Sequence, residues 1–392
     1  MHFRGGKSLR IGIFTESYRP VINGVVTSIE VYKNELRRNG HQVYIFAPDF
    51  PGYDADDEFV IRCDSFTIPG YHDYPIAYPL PGKTLSRVKS IGLDLIHAQT
   101  PFSLGHVGFH IADRLGLPKV YTYHTLYAEY AHYAPFQRQS ARKFLMALSR
   151  NFCNRANRVL TPSTAIKHIL EGYGVKRPIT VLPTGIDVDF FENLRKGWAR
   201  KKYGISNDEP VLLFAGRLAK EKNIDFLLRA YKEIATAMPM SRFLIVSGGP
   251  DEARLREMSN DLGLSGNVIF CGYLPREELA KCYVDADVFV FASRTETQGL
   301  VLMESLAAGT PVVAVNAMGV ADFIKDGYNG ILLDENESKF AAAVLALLSN
   351  PEKRAQLVAN SAEAVAECSI ARCTEKLITV YEDVVDHGMR GN

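Results

Sequence analysis

The chain has 392 residues, of which 47% are hydrophobic and 23% are charged, with a formal net charge of +1. This length and composition predict a globular protein of two domains and exclude a disordered chain. No apolar run approaches the roughly 20 residues that a membrane-spanning helix needs. The six cysteines form no Cys-x-x-Cys pair and no zinc-like spacing, and residues 1–10 lack the apolar core of a signal peptide. We therefore expect a cytoplasmic protein with reduced cysteines.

The small net charge conceals an asymmetry between the two halves of the chain. Residues 1–190 contain 22 Lys and Arg against 16 Asp and Glu, whereas residues 191–392 contain 23 against 28. A basic first half and an acidic second half indicate that the two halves meet different partners.

Strands alternate with helices along most of the chain. A first series of predicted strands lies at residues 9–14, 42–47, 94–97, 119–123 and 158–160, and a second lies at 210–214, 242–246, 267–270, 287–292, 311–315 and 330–333. Helices of 10–15 residues between strands predict parallel sheets with right-handed crossovers. We therefore predict an α/β protein with two doubly wound, Rossmann-like domains that face each other across a cleft.

The predicted domain boundaries follow from these two series. Residues 1–188 form an N-terminal domain, residues 189–368 form a C-terminal domain, and residues 369–392 form a helix that packs back on the N-terminal domain. Six prolines lie from Pro48 to Pro81, and we expect residues 49–90 to be irregular and to form a surface excursion outside the core.

Two carboxylates eight positions apart mark the most informative segment. Glu296 precedes a predicted helix over residues 300–308, which stops at Gly309, and Glu304 lies within that helix. The first-turn N–H groups of Gly299, Leu300 and Val301 are expected to point into the space near Glu296, which makes an anion site. Glutamates at this spacing are also common on solvated helices. The loop, however, follows a buried strand, where open α/β sheets bind ligands, and its groups suit the hydroxyls and phosphates of a nucleotide sugar.

A pair of cations follows the first strand of the second series. Arg217 and Lys222 are expected to bind a diphosphate, the arginine in a bidentate manner and the lysine as a point charge. A solvated helix start is the alternative. Gly249, after the strand at 242–246, would let the chain approach a nucleotide base closely, and a simple turn explains it equally well.

The first series offers two further candidates. Gly24 lies in the first strand-to-helix loop, where it would let the backbone approach donor phosphates or sugar. His124 ends another strand, where it could donate to a hydroxyl or a leaving phosphate, although a structural role is the more common one for such a histidine. The acidic runs at residues 54–57 and 187–189 have no metal-site context, so we expect no metal.

Taken together, these motifs resemble retaining glycosyltransferases of family 4, which have the GT-B fold. The resemblance extends from about residue 9 to residue 385 and depends on the motifs jointly. It implies that Glu296 binds hydroxyls of the transferred sugar and faces its reacting carbon, while Glu304 holds the ribose diol. It also implies that Arg217 and Lys222 bind the diphosphate and stabilise charge on the leaving group.

The same resemblance assigns roles to several other positions. Gln298, Gly299 and Leu300 are implied to offer backbone amides to the donor, beside the Val301 N–H of the same helix turn. Gly24 is implied to lie beside the diphosphate, and His124 is implied to reach the sugar. The family commonly has an aromatic residue where this chain has Gln298. No cofactor is implied, because the nucleotide sugar is itself a substrate. No metal is implied either.

The acceptor is indicated by residues 124–133, which resemble the signature of diacylglycerol glucosyltransferases within the family. Residues 135–158 follow, with six basic residues, no acidic ones and interleaved apolar residues. This pattern predicts an interfacial helix on anionic lipid, and an ordinary amphipathic helix is the alternative. The predicted membrane contacts are Arg138, Arg142, Lys143, Phe144 and Arg150.

The sequence therefore predicts an enzyme that moves glucose from UDP-glucose to 1,2-diacylglycerol with retention. We expect it to be peripheral on the inner face of the cell membrane, with a nucleotide sugar, a lipid acceptor and an anionic membrane surface as partners, and no nucleic acid. The alternatives are a GDP-mannose-dependent lipid mannosyltransferase, a transferase to a soluble sugar, and a sugar-nucleotide epimerase.

Overall fold

The chain forms two compact units in the computed structural model, which describes residues 7–21, 23–53, 57–68, 71–78, 80–129 and 138–390. The first unit comprises Met1–Gly185 and Ile370–Asn392, and the second comprises Ile186–Ser369. The sequence placed the corresponding boundaries after residues 188 and 368. Within the described ranges, no helix combines the length and the apolar character needed to cross a bilayer.

The first unit is built on a parallel sheet, seven-stranded in the part of the chain described, with the strand order β3-β2-β1-β6-β7-β8-β9. A separate antiparallel hairpin is formed by β4 and β5. The strands are β1 (Arg10–Phe14), β2 (Gln42–Pro48), β3 (Val60–Cys63), β4 (Ser65–Ile68), β5 (Tyr71–Ala77), β6 (Leu95–Ala98), β7 (Lys119–Thr122), β8 (Arg158–Thr161) and β9 (Ile179–Val181).

The helices that accompany this sheet are α1 (Gly24–Arg38), α2 (Pro81–Ile91), α3 (Ser103–Leu115), α4 (Arg138–Cys153) and α5 (Thr164–Gly172). The Asn23 side chain begins α1 by accepting a hydrogen bond of 3.0 Å from the Val26 N–H, as a good N-cap residue does. The strand order reverses between β1 and β6, and such a switch point is where open α/β sheets bind ligands at the carboxyl edge.

The second unit has a parallel sheet of six strands among the described residues, in the order β12-β11-β10-β13-β14-β15. Its central strands are buried along their whole length, which explains their continuous apolar sequences. The strands are β10 (Val211–Ala215), β11 (Arg242–Val246), β12 (Val268–Gly272), β13 (Val288–Phe291), β14 (Val312–Val315) and β15 (Ile331–Leu333).

The helices of the second unit are α6 (Val188–Glu192), α7 (Trp198–Tyr203), α8 (Ile224–Ala237), α9 (Glu252–Asp261), α10 (Arg276–Asp285), α11 (Leu300–Ala307), α12 (Glu337–Leu348) and α13 (Pro351–Glu367). The strand order of this parallel sheet reverses between β10 and β13, so the loops that follow these two strands lie at its switch point. The predicted α/β architecture with two doubly wound parallel sheets is confirmed.

The last helix, α14 (Ile370–Arg390), belongs to the first unit and packs against α1. Its buried Tyr381 hydroxyl lies 2.7 Å from His97 Nδ1, and His97 Nε2 lies 2.7 Å from Thr122 Oγ1. Burial, with a smaller effect of the charge on His124, lowers the pKa of His97 to about 3. The ring is therefore neutral at pH 7, and this network ties α14 to the centre of the sheet.

The expectation that residues 49–90 are irregular is wrong where they are described, although β4 and β5 do lie outside the seven-stranded sheet. β3 pairs with β2 at the edge of the sheet, β4 and β5 form the hairpin, and α2 buries Thr84 and Val88. Proline is compatible with these elements because Pro81 stands at the first position of α2, where no N–H is needed, and Pro75 lies in a two-stranded hairpin.

Candidate active site

The loop between β13 and α11 carries Glu296 and determines where its carboxylate lies. Gly299 ends the loop with φ +75°, and a Cβ added there would lie 2.8 Å from Leu302 Cδ1 and 3.3 Å from Glu296 Cγ. A glycine is therefore required both by its backbone conformation and by the close packing. This turn holds Glu296 at the carboxyl edge of the sheet, directly before the helix.

Glu296 forms an ion pair with Lys222, with 2.7 Å between Oε2 and Nζ. The two side chains are only 16% and 21% exposed. Burial acts to raise the pKa of Glu296, but the Lys222 charge and hydrogen bond, with the backbone N–H groups of Gly299 and Gln298, outweigh it and lower that pKa. Glu296 is therefore a carboxylate at neutral pH, held beside a cation.

The predicted anion site at the start of α11 is partly occupied by Glu296 itself. The Gly299 N–H donates to Glu296 Oε1 at 3.2 Å, so the carboxylate caps the helix that follows it. Gln298 is buried, and Leu300 and Val301 are partly exposed in the first turn. A phosphate bound at this end of the helix would therefore lie close to the Glu296 carboxylate. Because the two negative charges repel each other, such a phosphate needs a cation nearby.

Two cations that could neutralise such a phosphate, Arg217 and Lys222, lie in the loop after β10. Lys222 ends a 3₁₀ turn over Lys220–Lys222, and its Nζ lies 6.0 Å from the centre of the Phe291 ring at the end of β13. Arg217 is exposed at the start of the same loop and has no ion pair within the described ranges. The loops after β10 and β13 thus bring Lys222 and Glu296 together, and they leave Arg217 open to a ligand.

Gly249 supports the loop that carries Arg217. A Cβ added to Gly249 would lie 2.3 Å from the Leu218 carbonyl oxygen, and two backbone hydrogen bonds of 3.0 Å join Leu218 to Gly248 and to Asp251. The glycine thus permits two loops at the carboxyl edge to pack directly against each other. Its contacts favour the packing explanation, and a contact with a base stays a prediction.

Glu304 lies on α11, where it accepts a hydrogen bond of 3.2 Å from the Tyr283 hydroxyl. Burial raises the pKa of Glu304 above its ordinary value, and the Tyr283 hydrogen bond and the Arg276 charge only partly oppose that effect. The two glutamates of the motif therefore differ: Glu296 has a cation beside it, and Glu304 has a neutral hydroxyl.

The first unit holds the remaining two candidates at the carboxyl edge of its own sheet. Gly24 is the first residue of α1, and a Cβ there would meet nothing within 4 Å. His124 follows β7, and its Nε2 lies 2.6 Å from Gln99 Oε1. An amide oxygen only accepts, so this contact places the ring proton on Nε2. Burial lowers the pKa of His124 to about 4, so the ring is neutral at pH 7.

Two partners of the candidate residues were not predicted from the sequence. Gln99 orients His124, and Tyr283 orients Glu304. Gln99 directly follows β6, and a polar residue after a buried strand is a signal that could have indicated it. Tyr283 lies on α10 and has no such signal, because its partner is 21 positions away on another helix.

The predicted membrane contacts lie on α4. Arg142, Lys143, Phe144 and Arg150 are exposed, and Phe144 reaches 67% exposure. Arg142 pairs with Glu129 at 3.4 Å, so part of the basic face is neutralised. The side chain of Arg138 and residues 130–137, which include all of the lipid-acceptor signature after Glu129, lie outside the part of the structure that is described.

The described residues of the acidic runs at 54–57 and 187–189 form ion pairs and a helix cap within the protein. Asp57 pairs with Arg37 and Lys33, and Asp187 caps α6 through the Phe190 N–H. Asp54 and Asp56 lie outside the described residues. Within the described ranges, no group of three His, Cys, Asp or Glu side chains could hold a metal ion, and all six cysteines are free.

Comparison with known protein families identifies two matching regions. Residues 22–190 match "Glycosyltransferase Family 4", and residues 197–364 match "Glycosyl transferases group 1". The two regions correspond to the first and second units.

Several characterised proteins are similar along most of their length. An alpha-monoglucosyldiacylglycerol synthase from Streptococcus pneumoniae is 36% identical over 88% of this chain and 79% of its own. A second such synthase, from Acholeplasma laidlawii, is 32% identical over 96% and 98%. A GDP-mannose-dependent alpha-mannosyltransferase from Mycolicibacterium smegmatis is 30% identical over 96% and 98%.

Solved structures share the fold at lower sequence identity. Sucrose-phosphate synthase from Thermosynechococcus elongatus superimposes with a TM-score of 0.80 at 21% identity, covering 97% of this chain and all of that one. HepE from Anabaena, solved with UDP-glucose, gives a TM-score of 0.77 at 19% identity, covering 96% of this chain and all of that one.

We predict that Glu304→Gln raises the melting temperature, and that the gain grows with pH. Because the folded-state pKa of Glu304 is raised, the unfolded chain ionises first, so ionisation costs stability as the pH rises from about 4.3 through the folded-state value. Glutamine keeps an acceptor for Tyr283 without this cost. Calorimetry between pH 4 and pH 8 measures the effect.

The matched control is Glu257→Gln, an exposed substitution on α9. It should leave the melting temperature within about 1 °C at every pH. A Glu304→Gln gain that is absent at pH 8, or that shrinks as the pH rises, would contradict the assigned environment of Glu304.

Proposed function

Because this chain belongs to glycosyltransferase family 4, we propose that it transfers glucose from UDP-glucose to 1,2-diacylglycerol with retention of the anomeric configuration. The observation that carries the proposal is the 36% and 32% identity to two alpha-monoglucosyldiacylglycerol synthases over most of both chains. The enzyme class and the GT-B fold are established by the family match and by the solved structures.

The charges in the second unit suit this reaction. In the proposed donor complex, Lys222 and Arg217 bind the diphosphate, and Lys222 leaves the Glu296 carboxylate to do so. Glu296 then accepts hydrogen bonds from the sugar hydroxyls, and Glu304 accepts from the ribose diol. Each carboxylate exchanges a protein donor, Lys222 or Tyr283, for hydroxyl donors of the substrate.

The proposed chemical step needs positioning and charge stabilisation. The acceptor hydroxyl oxygen forms a bond to the anomeric carbon on the face from which the diphosphate departs, and the bond from that carbon to the phosphate oxygen breaks. The acceptor proton passes to a phosphate oxygen of the departing UDP. Lys222 and Arg217 stabilise the negative charge that develops on that diphosphate.

No metal or cofactor takes part in the proposal, since two cations of the protein can serve the diphosphate. The roles that the family resemblance assigns to Gly24 and His124 in the first unit stay predictions. The neutral His124 ring, with its proton on Nε2, could accept at Nδ1 or donate at Nε2 once Gln99 moves away, so it suits a hydroxyl-binding role.

Transfer of mannose from GDP-mannose is the second candidate. It is favoured by the 30% identity to a GDP-mannose-dependent alpha-mannosyltransferase over 96% of this chain. The named charges would serve either donor, because both carry a diphosphate on a hexose.

A donor and acceptor assay tests the proposal. The purified protein is incubated with UDP-glucose or GDP-mannose and with vesicles of anionic lipid that contain diacylglycerol. We expect mass spectrometry to detect a monoglucosylated lipid when UDP-glucose is the donor, and no glycosylated lipid when GDP-mannose is the donor. A mannosylated lipid instead would contradict the donor, and UDP release without a lipid product would contradict the acceptor. An epimerised sugar nucleotide, formed without an acceptor, would contradict both.

We predict that Lys222→Ala lowers kcat by about 100-fold or more, because it removes a cation from the departing diphosphate. Lys220→Ala is the matched control, since Lys220 is an exposed lysine in the same 3₁₀ turn, and it should retain activity within roughly threefold. Steady-state UDP release in the presence of acceptor measures both. Comparable losses in the two variants would refute a specific role for Lys222.

We further propose that α4 contacts the anionic membrane surface. Replacing Arg142, Lys143 and Arg150 with Gln should weaken binding to anionic vesicles by at least about tenfold, because each basic residue near such a surface adds roughly 1 kcal/mol. The matched control replaces Lys232, Lys325 and Lys339, three exposed lysines of the second unit. Equal binding by both triple variants in a co-sedimentation assay would leave α4 as an ordinary amphipathic helix.

A further inference from the structure

The hairpin of β4 and β5 exposes apolar side chains where a solvated strand would carry polar ones. Ile76 and Tyr78 are 40% and 51% exposed, whereas the alternate residues Pro75 and Ala77 are buried. Side chains alternate between the two faces of a strand, so one face packs on the protein and the other faces outward. Here the outward face is apolar as well.

Neighbouring residues extend this apolar face. Phe66 on β4 is directly opposite Ile76 in the hairpin register, is 51% exposed, and has its ring centre 6.0 Å from that of Tyr78. Leu80 follows at 56% exposure. We call Phe66, Ile76, Tyr78 and Leu80 the hairpin patch. It accounts for four of the nine large hydrophobic side chains that are exposed among the described residues.

The hairpin patch lies near the carboxyl edge of the first sheet. The Ala77 carbonyl, between Ile76 and Tyr78, accepts a hydrogen bond of 2.7 Å from Ser103 Oγ at the start of α3. Phe102, the residue before that serine, is 42% exposed. The loop after β6 therefore adds another exposed aromatic side chain beside the hairpin, at the edge where Gln99 and His124 lie.

Basic residues adjoin the patch on its other side. Leu80 leads directly into α2, which carries Lys83, Arg87 and Lys89 and no acidic residue. Leu80, Lys83 and Arg87 line one open groove of about 530 Å³. Lys83 has a long contact of 3.8 Å with Asp64, whereas Arg87 and Lys89 are exposed without an ion pair within the described ranges. An apolar face beside such cations matches acyl chains beside anionic headgroups.

The size of the patch distinguishes between occupants. Five half-exposed side chains, with Phe102 included, offer at most about 500 Å² of apolar surface. A stable protein partner or a second copy of this chain needs about 800 Å² on each side. A lipid surface has no such requirement, because a few aromatic and aliphatic side chains with a basic rim suffice for interfacial binding.

We infer that the hairpin patch inserts into the surface of an anionic membrane, with Arg87 and Lys89 on lipid headgroups, and thereby holds the carboxyl edge of the first unit at the membrane. The choice of a lipid occupant rests on the proposed function. The inference adds a contact that is separate from α4 and apolar in nature, so salt should not abolish it.

The test is co-sedimentation with vesicles of phosphatidylcholine and phosphatidylglycerol at 0.1 and about 0.5 M salt, without donor and without diacylglycerol. Phe66→Ser with Ile76→Ser should lower partition into the vesicles by at least about tenfold at both salt concentrations, because each change removes an apolar side chain that the bilayer would bury. Phe66→Leu with Ile76→Leu should retain it. Met240→Ser, an equally exposed apolar residue of the second unit, is the matched control and should partition as the unaltered protein does.

Leu80→Ser is a second variant, whose substitution lies outside the strands and should not disturb the hairpin. Circular dichroism checks that this variant and the Phe66→Ser, Ile76→Ser variant are folded. Partition that is unchanged in the serine variants would overturn the inference, as would failure of the unaltered protein to bind vesicles. A patch-dependent dimer in light scattering without vesicle binding would also overturn it. Transfer by the unaltered protein to a water-soluble short-chain diacylglycerol tests the proposed function separately, since it needs no membrane.

Discussion

The ion pair between Lys222 and Glu296 is the interaction on which the rest of the second unit's site depends. The two residues are 74 positions apart in the chain, and they meet because β10 and β13 are neighbours at the point where the strand order of the sheet reverses. Open α/β sheets bind ligands at this point because adjacent loops diverge there. The fold thus places a cation and a carboxylate together where a ligand can reach both.

For the proposed donor, the pair explains how one site can serve a substrate with both phosphates and hydroxyls. A carboxylate beside a diphosphate would repel it, yet the sugar hydroxyls need an acceptor. While Lys222 neutralises Glu296, the carboxylate can stay ionised in a partly buried place, and its second oxygen can cap α11 through Gly299. In the proposed donor complex, the diphosphate takes the lysine and the hydroxyls of the sugar replace it on Glu296. We therefore regard the pair as an exchangeable one.

Much of the architecture could be predicted because it follows from local pattern. Buried parallel strands have continuous apolar sequences, and the helix expected over residues 300–308 is observed as α11, which ends one residue earlier. Residues at strand ends could be expected to share an edge, and Lys222 and Glu296 do so. The irregular structure expected for residues 49–90 was wrong because prolines in a two-stranded hairpin and at a helix start are compatible with regular structure.

Other features depend on contacts between distant parts of the chain and have no local signature. The capping of α11 by Glu296 and the packing of Gly249 on Leu218 required the folded backbone. The same is true of the His97 contact with Tyr381, which joins residues 284 positions apart. The apolar outer face of the β4–β5 hairpin could not be predicted from the sequence, because a proline-rich segment does not indicate the register of the two strands.

The most direct test of the exchangeable pair is calorimetric titration of UDP into the unaltered protein and into Glu296→Gln. UDP carries the diphosphate without the sugar, so under the proposed function it binds Lys222 and gains nothing from Glu296. We expect Glu296→Gln to bind UDP more tightly, by roughly tenfold or about 1.4 kcal/mol, because the lysine no longer has to leave a carboxylate. Equal or weaker binding of UDP by Glu296→Gln would contradict the account.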